Sequence, residues 1–125
     1  RALCERIVKA CVPRGVISLA GELSLLQTAA LMQDAILNYV NDSAPLHIAS
    51  SVNAPVAAIF CSTILEFGFG PRSDRSFMIQ TSQTLTCRPC GLHGYKKCPE
   101  GHFDCAYSIL NQQLIQCISY VKCYE

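Results

Sequence analysis

The sequence predicts an α/β protein in which a parallel sheet carries helices on both faces. Short apolar runs alternate with segments of helical period along most of the chain. Within these runs, successive positions are apolar, which is typical of strands buried on both faces of a parallel sheet. Half of the 125 residues are hydrophobic, enough for the core of a single domain. We therefore predict one domain over residues 1–125, built as part of a Rossmann-like, doubly wound sheet.

The first third of the chain is predicted to contain two helices and two strands. Residues 1–10 are expected to form an amphipathic helix, and the apolar run 16–20 a short strand. A serine at position 24 and Gln27 match a capping box, which predicts a helix over about 24–35. The apolar run 36–40 is predicted to be the second strand.

The rest of the chain is predicted to alternate in the same way and to end in a helix. Pro45 suits a first helical turn, so a helix is expected to follow the turn at 41–44. The apolar run 55–60 predicts a third strand, and 77–80 a short edge strand, so residues 16–60 would form a β-α-β-α-β unit. From about residue 108 a last helix is predicted from one apolar stripe, made of Leu110, Leu114, Cys117, Ile118 and Val121.

Charge and hydropathy exclude several functional classes. The formal net charge is +1, so no general attraction to nucleic acid or to an anionic membrane is expected. No apolar run reaches the roughly 18 residues of a transmembrane helix. The sequence therefore predicts neither a nucleic-acid partner nor a transmembrane segment.

Residues 87–105 differ in composition from the rest of the chain and are predicted to form an irregular, cysteine-rich knuckle. Nine cysteines allow an oxidised, secreted framework or a reduced protein, and the long apolar runs favour the reduced state. Within the knuckle, four cysteines could hold a structural zinc ion, and two histidines are alternative ligands. The alternative is a thiol-rich loop without metal. The residues concerned are Cys87, Cys90, Cys98 and Cys105, with His93 and His102 as the alternatives.

The most informative segment for function is 41–47, between a predicted strand and a predicted helix. In open α/β sheets, ligands bind at the carboxyl ends of the strands, and a helix N-terminus there favours phosphate. Asp42 can accept hydrogen bonds from sugar hydroxyls, Ser43 can donate one, and His47 can face the same crevice. In the alternative interpretation, Asp42 or Ser43 only caps the helix and His47 lies in the core.

This segment resembles the donor-site signature of glycosyltransferase family nine, which contains the heptosyltransferases of lipopolysaccharide synthesis. The resemblance lies in NDSAPLHIA at 41–49 followed by NAPVAAIF at 53–60. The segments around 19–25 and 68–71, together with the cysteine-rich stretch, are similar to further family features. In all, the resemblance covers about residues 16–109.

The resemblance implies a role for each residue of the motif. Asp42 would contact the sugar and His47 would be the motif histidine. Ser43, Ala44 and Leu46 would line the diphosphate and the sugar, and Leu23 would lie near the nucleotide base. The family's usual glycine is Ala44 here, which makes a positive φ at that position unfavourable. A second family glycine is replaced by Cys61.

The resemblance also implies what the protein does. The chain would be the C-terminal, donor-binding part of a GT-B type enzyme. This enzyme would transfer heptose or a related sugar from a nucleotide-diphosphate sugar such as ADP-heptose to a lipopolysaccharide-type glycolipid. The acceptor and the catalytic base would belong to an N-terminal domain. We therefore expect no catalytic residue in this chain and no activity from it alone.

Transfer would need no cofactor. The enzyme would be a bacterial, cytoplasmic protein, in peripheral contact with the inner face of the inner membrane. Two alternatives are a non-catalytic zinc-knuckle interaction module and a structural Rossmann-like remnant.

Overall fold

The computed structural model describes residues 2–12 and 15–122. It contains five α-helices, three strands and one short 3-10 helix within these residues. In chain order these are α1 (Ala2–Ala10), α2 (Leu25–Gln33), β1 (Asn38–Asn41), α3 (Ala44–Ser51), β2 (Val56–Phe60), the 3-10 helix (Leu65–Phe67), β3 (Ser76–Gln80), α4 (Asp104–Tyr107) and α5 (Asn111–Lys122).

The three strands form one parallel sheet in the order β1-β2-β3. Asn38 pairs with Val56 at the start of β1, and Val56 pairs with Ser76 at the start of β3. α3 connects β1 to β2, as parallel pairing requires a crossover. All three carboxyl ends therefore lie at one edge of the sheet.

Alternate residues of the strands supply two cores, one on each face of the sheet. On one face, the core contains Val40, Ala58 and Phe60 of the strands. They pack with the fully buried Leu46 and Ala49 of α3. On the other face, the cluster consists of Ala57, Ile79 and, from α5, Cys117. Helices thus cover both faces, as the prediction of a doubly covered parallel sheet requires.

Several predicted elements are confirmed with small shifts. The capping box of α2 is formed: the Gln27 amide donates to Ser24 Oγ at 3.3 Å, and the Ser24 amide donates to Gln27 Oε1 at 2.8 Å. The predicted strands 55–60 and 77–80 correspond to β2 and β3. β1 begins two residues later than predicted. α2 ends at Gln33, and a short connection separates it from β1.

The predicted strand over 16–20 is wrong. Residues 15–19 have no regular secondary structure, and Ile17 is 74% exposed. The segment borders a shallow cleft beside Ile7 and Val8 of α1 and does not pair with β1. An apolar run forms a strand only where a neighbouring strand can take its hydrogen bonds, and none of the described strands does so here.

The start of the last helix also differs from the prediction. Ser108 ends the short α4, so α5 begins at Asn111, three residues later than predicted. Of the predicted apolar stripe, Cys117 and Val121 are buried, whereas Leu110 is 62% exposed. Among the described residues, no helix is long and apolar enough to cross a membrane.

The burial of Leu46 predicts how the sheet is stabilised. Leu46→Ala should lower the free energy of unfolding by about 2–5 kcal/mol, because it removes buried methyl groups and leaves a cavity. The matched control is Leu26→Ala on α2, where the side chain is 83% exposed and the change should stay within about 0.5 kcal/mol. Urea unfolding of both variants provides the measurement. Equal losses would contradict the assignment of Leu46 to the core.

Candidate functional site

A pocket opens at the carboxyl edge of the sheet, between the strand ends and the cysteine-rich loop. This loop is the part of the predicted knuckle that precedes α4, residues 87–103. Its volume is about 260 Å³, comparable to a small ligand site. One wall comes from the predicted segment after β1, and the other from three later loops. The lining residues are Asp42, Ser43, Ala44, His47, Thr63, Phe69, Leu92 and His93.

Asp42 is held at this edge by both its backbone and its side chain. Its amide donates to the Ile59 carbonyl at 3.2 Å, which continues the pairing of β1 with β2. Its Oδ2 accepts a hydrogen bond from the Thr63 hydroxyl at 2.6 Å. The residue is half-buried, whereas Thr63 is buried with only 7% of its surface exposed. The carboxylate therefore borders the pocket in a fixed orientation.

The start of α3 also faces this pocket. Ser43 is the N-cap by backbone geometry, but its side chain makes no capping hydrogen bond to the helix. Its hydroxyl instead donates to the Asn41 carbonyl at 3.4 Å. His47 is exposed and lines the pocket. In the alternative, the side chain of Asp42 or Ser43 only caps the helix and His47 lies in the core. The structure shows no side-chain cap on α3, the Asp42 carboxylate accepts from Thr63, and His47 is exposed.

Two residues that the resemblance assigned to the donor site do not line this pocket. Leu46 is fully buried in the core beneath α3. Leu23 is half-buried and is not among the residues that line this pocket. Ala44, in place of the family's glycine, begins α3 with helical geometry and has no positive φ. The replacement of glycine at this position thus costs no backbone strain here.

Sequence reasoning missed four lining residues: Thr63, Phe69, Leu92 and His93. Thr63 follows β2 by three residues, so the rule that ligands bind beyond strand ends could have identified it. Leu92 and His93 belong to the cysteine-rich loop, about 50 residues after Asp42 in the sequence. Only the long-range packing of that loop brings them to the pocket.

The four predicted zinc ligands lie around a second, much smaller cavity of about 20 Å³, which His102 also lines. His102 Nε2 lies 3.9 Å from Cys87 Sγ, and its Nδ1 accepts a hydrogen bond from the Asp104 amide at 3.0 Å. In residues 2–12 and 15–122, no three His, Cys, Asp or Glu side chains are arranged to hold a metal ion. Zinc binding would have to draw these thiols closer together, so the metal site stays a prediction.

Burial raises the pKa of several thiols. For Cys61 the positive charge of Arg88 partly offsets this effect. For Cys90, desolvation is the first cause, and neighbouring Cys87 and Cys98 raise the pKa further. Burial is also the first cause at Cys105 and Cys117. A raised pKa disfavours the thiolate, which argues against a nucleophilic role for these four thiols.

Comparison with known proteins identifies the family. The family model described as "Glycosyltransferase family 9 (heptosyltransferase)" matches residues 1–98. The chain belongs to this family. The family 9 match includes the whole 41–60 motif and the first three knuckle cysteines. It begins and ends earlier than the predicted range of 16–109, so Cys105 lies beyond it.

Two curated proteins match part of the chain. Lipopolysaccharide heptosyltransferase 3 of Escherichia coli strain K12 is 36% identical over 62 residues. A protein of the same name from Escherichia coli is 37% identical over 62 residues. Each match covers 50% of this chain but only 18% of the relative. No solved structure matches.

The raised thiol pKa values predict that this family 9 chain loses stability in alkaline solution. Below the ordinary thiol pKa of 9.0 both folded and unfolded states keep their protons. Above it the unfolded chain ionises first, so the free energy of unfolding falls as the pH rises. Urea unfolding under reducing conditions at pH 7 and at more alkaline pH measures this fall. Cys61→Ala should show a smaller fall than the parent. The same fall in both proteins would refute the contribution of this thiol.

Proposed function

We propose that this chain carries the nucleotide-sugar donor site of a glycosyltransferase that transfers heptose or a related sugar. The observation that carries the proposal is the pocket in which Asp42, Ser43, Ala44 and His47 meet at the carboxyl edge of the sheet. These residues belong to the segment on which the family resemblance rests, and the match to the family model covers them. Parallel α/β sheets bind ligands at this edge.

The chemistry of the pocket suits the two halves of a nucleotide-diphosphate sugar. The start of α3 has no side-chain cap. Pro45 has no N–H and the Leu46 N–H donates to the Ser43 carbonyl, so the Ala44 N–H and the helix dipole would stabilise the negative diphosphate. During transfer the same groups would stabilise the charge that develops on the leaving diphosphate. Asp42 would accept hydrogen bonds from sugar hydroxyls and orient the sugar. His47, on the same wall, would add a hydrogen bond.

The partner substrate and the base complete the proposal. The acceptor would be a hydroxyl of a lipopolysaccharide-type glycolipid, and the base that deprotonates it would come from an acceptor domain of the same enzyme. Such an enzyme would work in the cytoplasm, in peripheral contact with the inner face of the inner membrane. The 125 residues alone would not transfer sugar, because positioning of both substrates contributes about 7–11 kcal/mol to such reactions. Transfer itself would need no metal.

Substitution of Asp42 tests the donor site directly. In the full-length enzyme of which this chain would be a part, Asp42→Ala should reduce kcat/KM by about 10- to 100-fold, as expected for loss of a hydrogen bond to a charged group. The melting temperature should fall, but by less than the loss of a core side chain would cause, because Asp42 lies outside both cores and only the buried Thr63 hydroxyl loses its acceptor.

Asp34→Ala is the matched control, because Asp34 is an exposed carboxylate at the end of α2 and does not line the pocket. It should leave both the transfer rate and the melting temperature unchanged. Full activity of Asp42→Ala with ADP-heptose would refute the sugar-orienting role of this residue.

A second function is proposed for the cysteine-rich loop: a structural zinc knuckle, as in a non-catalytic interaction module. The gathering of four cysteines around one small cavity favours it. Zinc prefers four thiolate ligands in closed structural sites. Since the pKa values of Cys90 and Cys105 are raised, zinc would have to displace their protons, and affinity should increase with pH.

Elemental analysis of the freshly purified, reduced protein tests the zinc knuckle. We expect one equivalent of zinc, lost in Cys90→Ser and retained in Cys117→Ser, whose thiol lies in the distant α5 core. Less than about one tenth of an equivalent would leave only the metal-free thiol loop, given how tightly structural zinc is normally held. Zinc without binding of ADP-heptose would favour the interaction module over the transferase.

A further inference from the structure

Arg88, in the cysteine-rich loop, connects to the carboxyl ends of all three strands. Its Nε and Nη2 donate to the Thr63 carbonyl, which follows β2, at 3.1 and 2.7 Å. Nη2 also donates to Gln80 Oε1, at the end of β3, at 2.8 Å. Thr63 in turn donates its hydroxyl to Asp42, which follows β1, at 2.6 Å. A single guanidinium therefore fixes the segment that holds the Asp42 carboxylate.

The geometry requires an arginine at this position. Its planar group offers five N–H donors: the Nε–H and one Nη2–H converge on the Thr63 carbonyl, and the second Nη2–H reaches the Gln80 side chain. A lysine has one nitrogen and cannot reproduce this fork. Because Thr63 is 7% exposed, little water competes for its hydrogen bond to Asp42. The Oδ2 atom of Asp42 is thus held toward Thr63, and Oδ1 is left for a ligand in the pocket.

The loop around Arg88 is attached to the same segment at two further points. The Cys90 amide donates to the Ser62 carbonyl at 2.9 Å. Gly94, at φ +74°, lies so close to Ser62 that a Cβ there would approach its Oγ to 2.5 Å. Leu92 and His93 lie between these two attachments and form the wall of the pocket opposite Asp42. The loop is therefore a fixed part of the pocket.

We infer that Arg88 and Thr63 are positioning residues of the donor site: Arg88 fixes Thr63, and Thr63 orients the Asp42 carboxylate toward the sugar. The inference rests on the proposed donor-binding function and adds residues outside the predicted motif. It implies that loss of either residue weakens recognition of the sugar and spares recognition of the nucleotide diphosphate, since the diphosphate would contact the α3 terminus instead.

Calorimetric titration of the full-length enzyme with ADP-heptose and with ADP tests this. Thr63→Val keeps the shape of the side chain and removes the hydroxyl, so it should weaken ADP-heptose binding about tenfold and leave ADP binding unchanged. Thr63→Ser, which keeps the hydroxyl, should bind both ligands like the parent. Arg88→Gln should reproduce the effect of Thr63→Val, and the double variant should be no weaker than either single variant.

The control and the readouts separate the possible failures. Arg75→Gln alters an exposed arginine beside the amino end of β3, at the opposite edge of the sheet, and should change neither affinity. If Thr63→Val binds ADP-heptose like the parent while Asp42→Ala binds it more weakly, the positioning role of Thr63 and Arg88 is refuted. The proposed donor site is then retained. Equal loss of ADP and ADP-heptose binding in Thr63→Val would also refute the positioning role. If the parent does not bind ADP-heptose, both the proposed donor site and the positioning role are refuted. If Arg88→Gln melts at a lower temperature than the parent, the comparison of Thr63→Val with Thr63→Ser alone tests the positioning role.

Discussion

The hydrogen bonds of Arg88 are the interaction on which the carboxyl edge of the sheet depends. At this edge three strands end, and the polar groups that follow them need partners. Arg88 donates to the Thr63 carbonyl and to the Gln80 side chain, and so joins the ends of β2 and β3. Through the Thr63 hydroxyl the connection reaches Asp42 after β1. Hydrogen bonds from a charged donor are among the stronger ones in proteins, which suits a residue with this role.

The attachment of the loop explains how the three strands of the described residues can form a pocket. The strand ends and the start of α3 supply one wall, with Asp42 and His47. The cysteine-rich loop supplies the other, because its contacts with residues 62–63 place Leu92 and His93 opposite them. The loop therefore serves the pocket whether its thiols bind zinc or remain protonated. Membership of glycosyltransferase family 9 gives this pocket its proposed ligand.

The sequence predicted those parts of the fold that depend on local signals. The capping box at the start of α2 and the apolar runs of β2 and β3 are short-range patterns, and they were confirmed. The run at 16–20 has the same apolar character, but it does not pair with β1, and no short-range pattern reveals whether a partner strand exists. Leu46 shows a related limit. A motif assigns a residue to a site, whereas only packing decides whether its side chain faces the ligand or the core.

The long-range contacts of the site could not be predicted from the sequence for the same reason. Segment 41–47 was identified because a strand, a turn and a helix follow one another. Thr63 and Arg88 lie 21 and 46 residues beyond Asp42, and no spacing rule connects them to it. Their role depends on the parallel order of the strands, which brings all carboxyl ends to one edge.

We propose that a nucleotide-diphosphate sugar binds between the strand ends and the cysteine-rich loop. An NMR titration of the isotope-labelled protein with ADP-heptose tests it most directly, because backbone amide shifts report which segments contact the ligand. The largest shifts should fall in 42–47, at Thr63 and at 92–93, on both walls of the pocket. Shifts confined to α1 and residues 15–20 would contradict this binding site. The absence of shifts with ADP-heptose in large excess over the protein would contradict it as well.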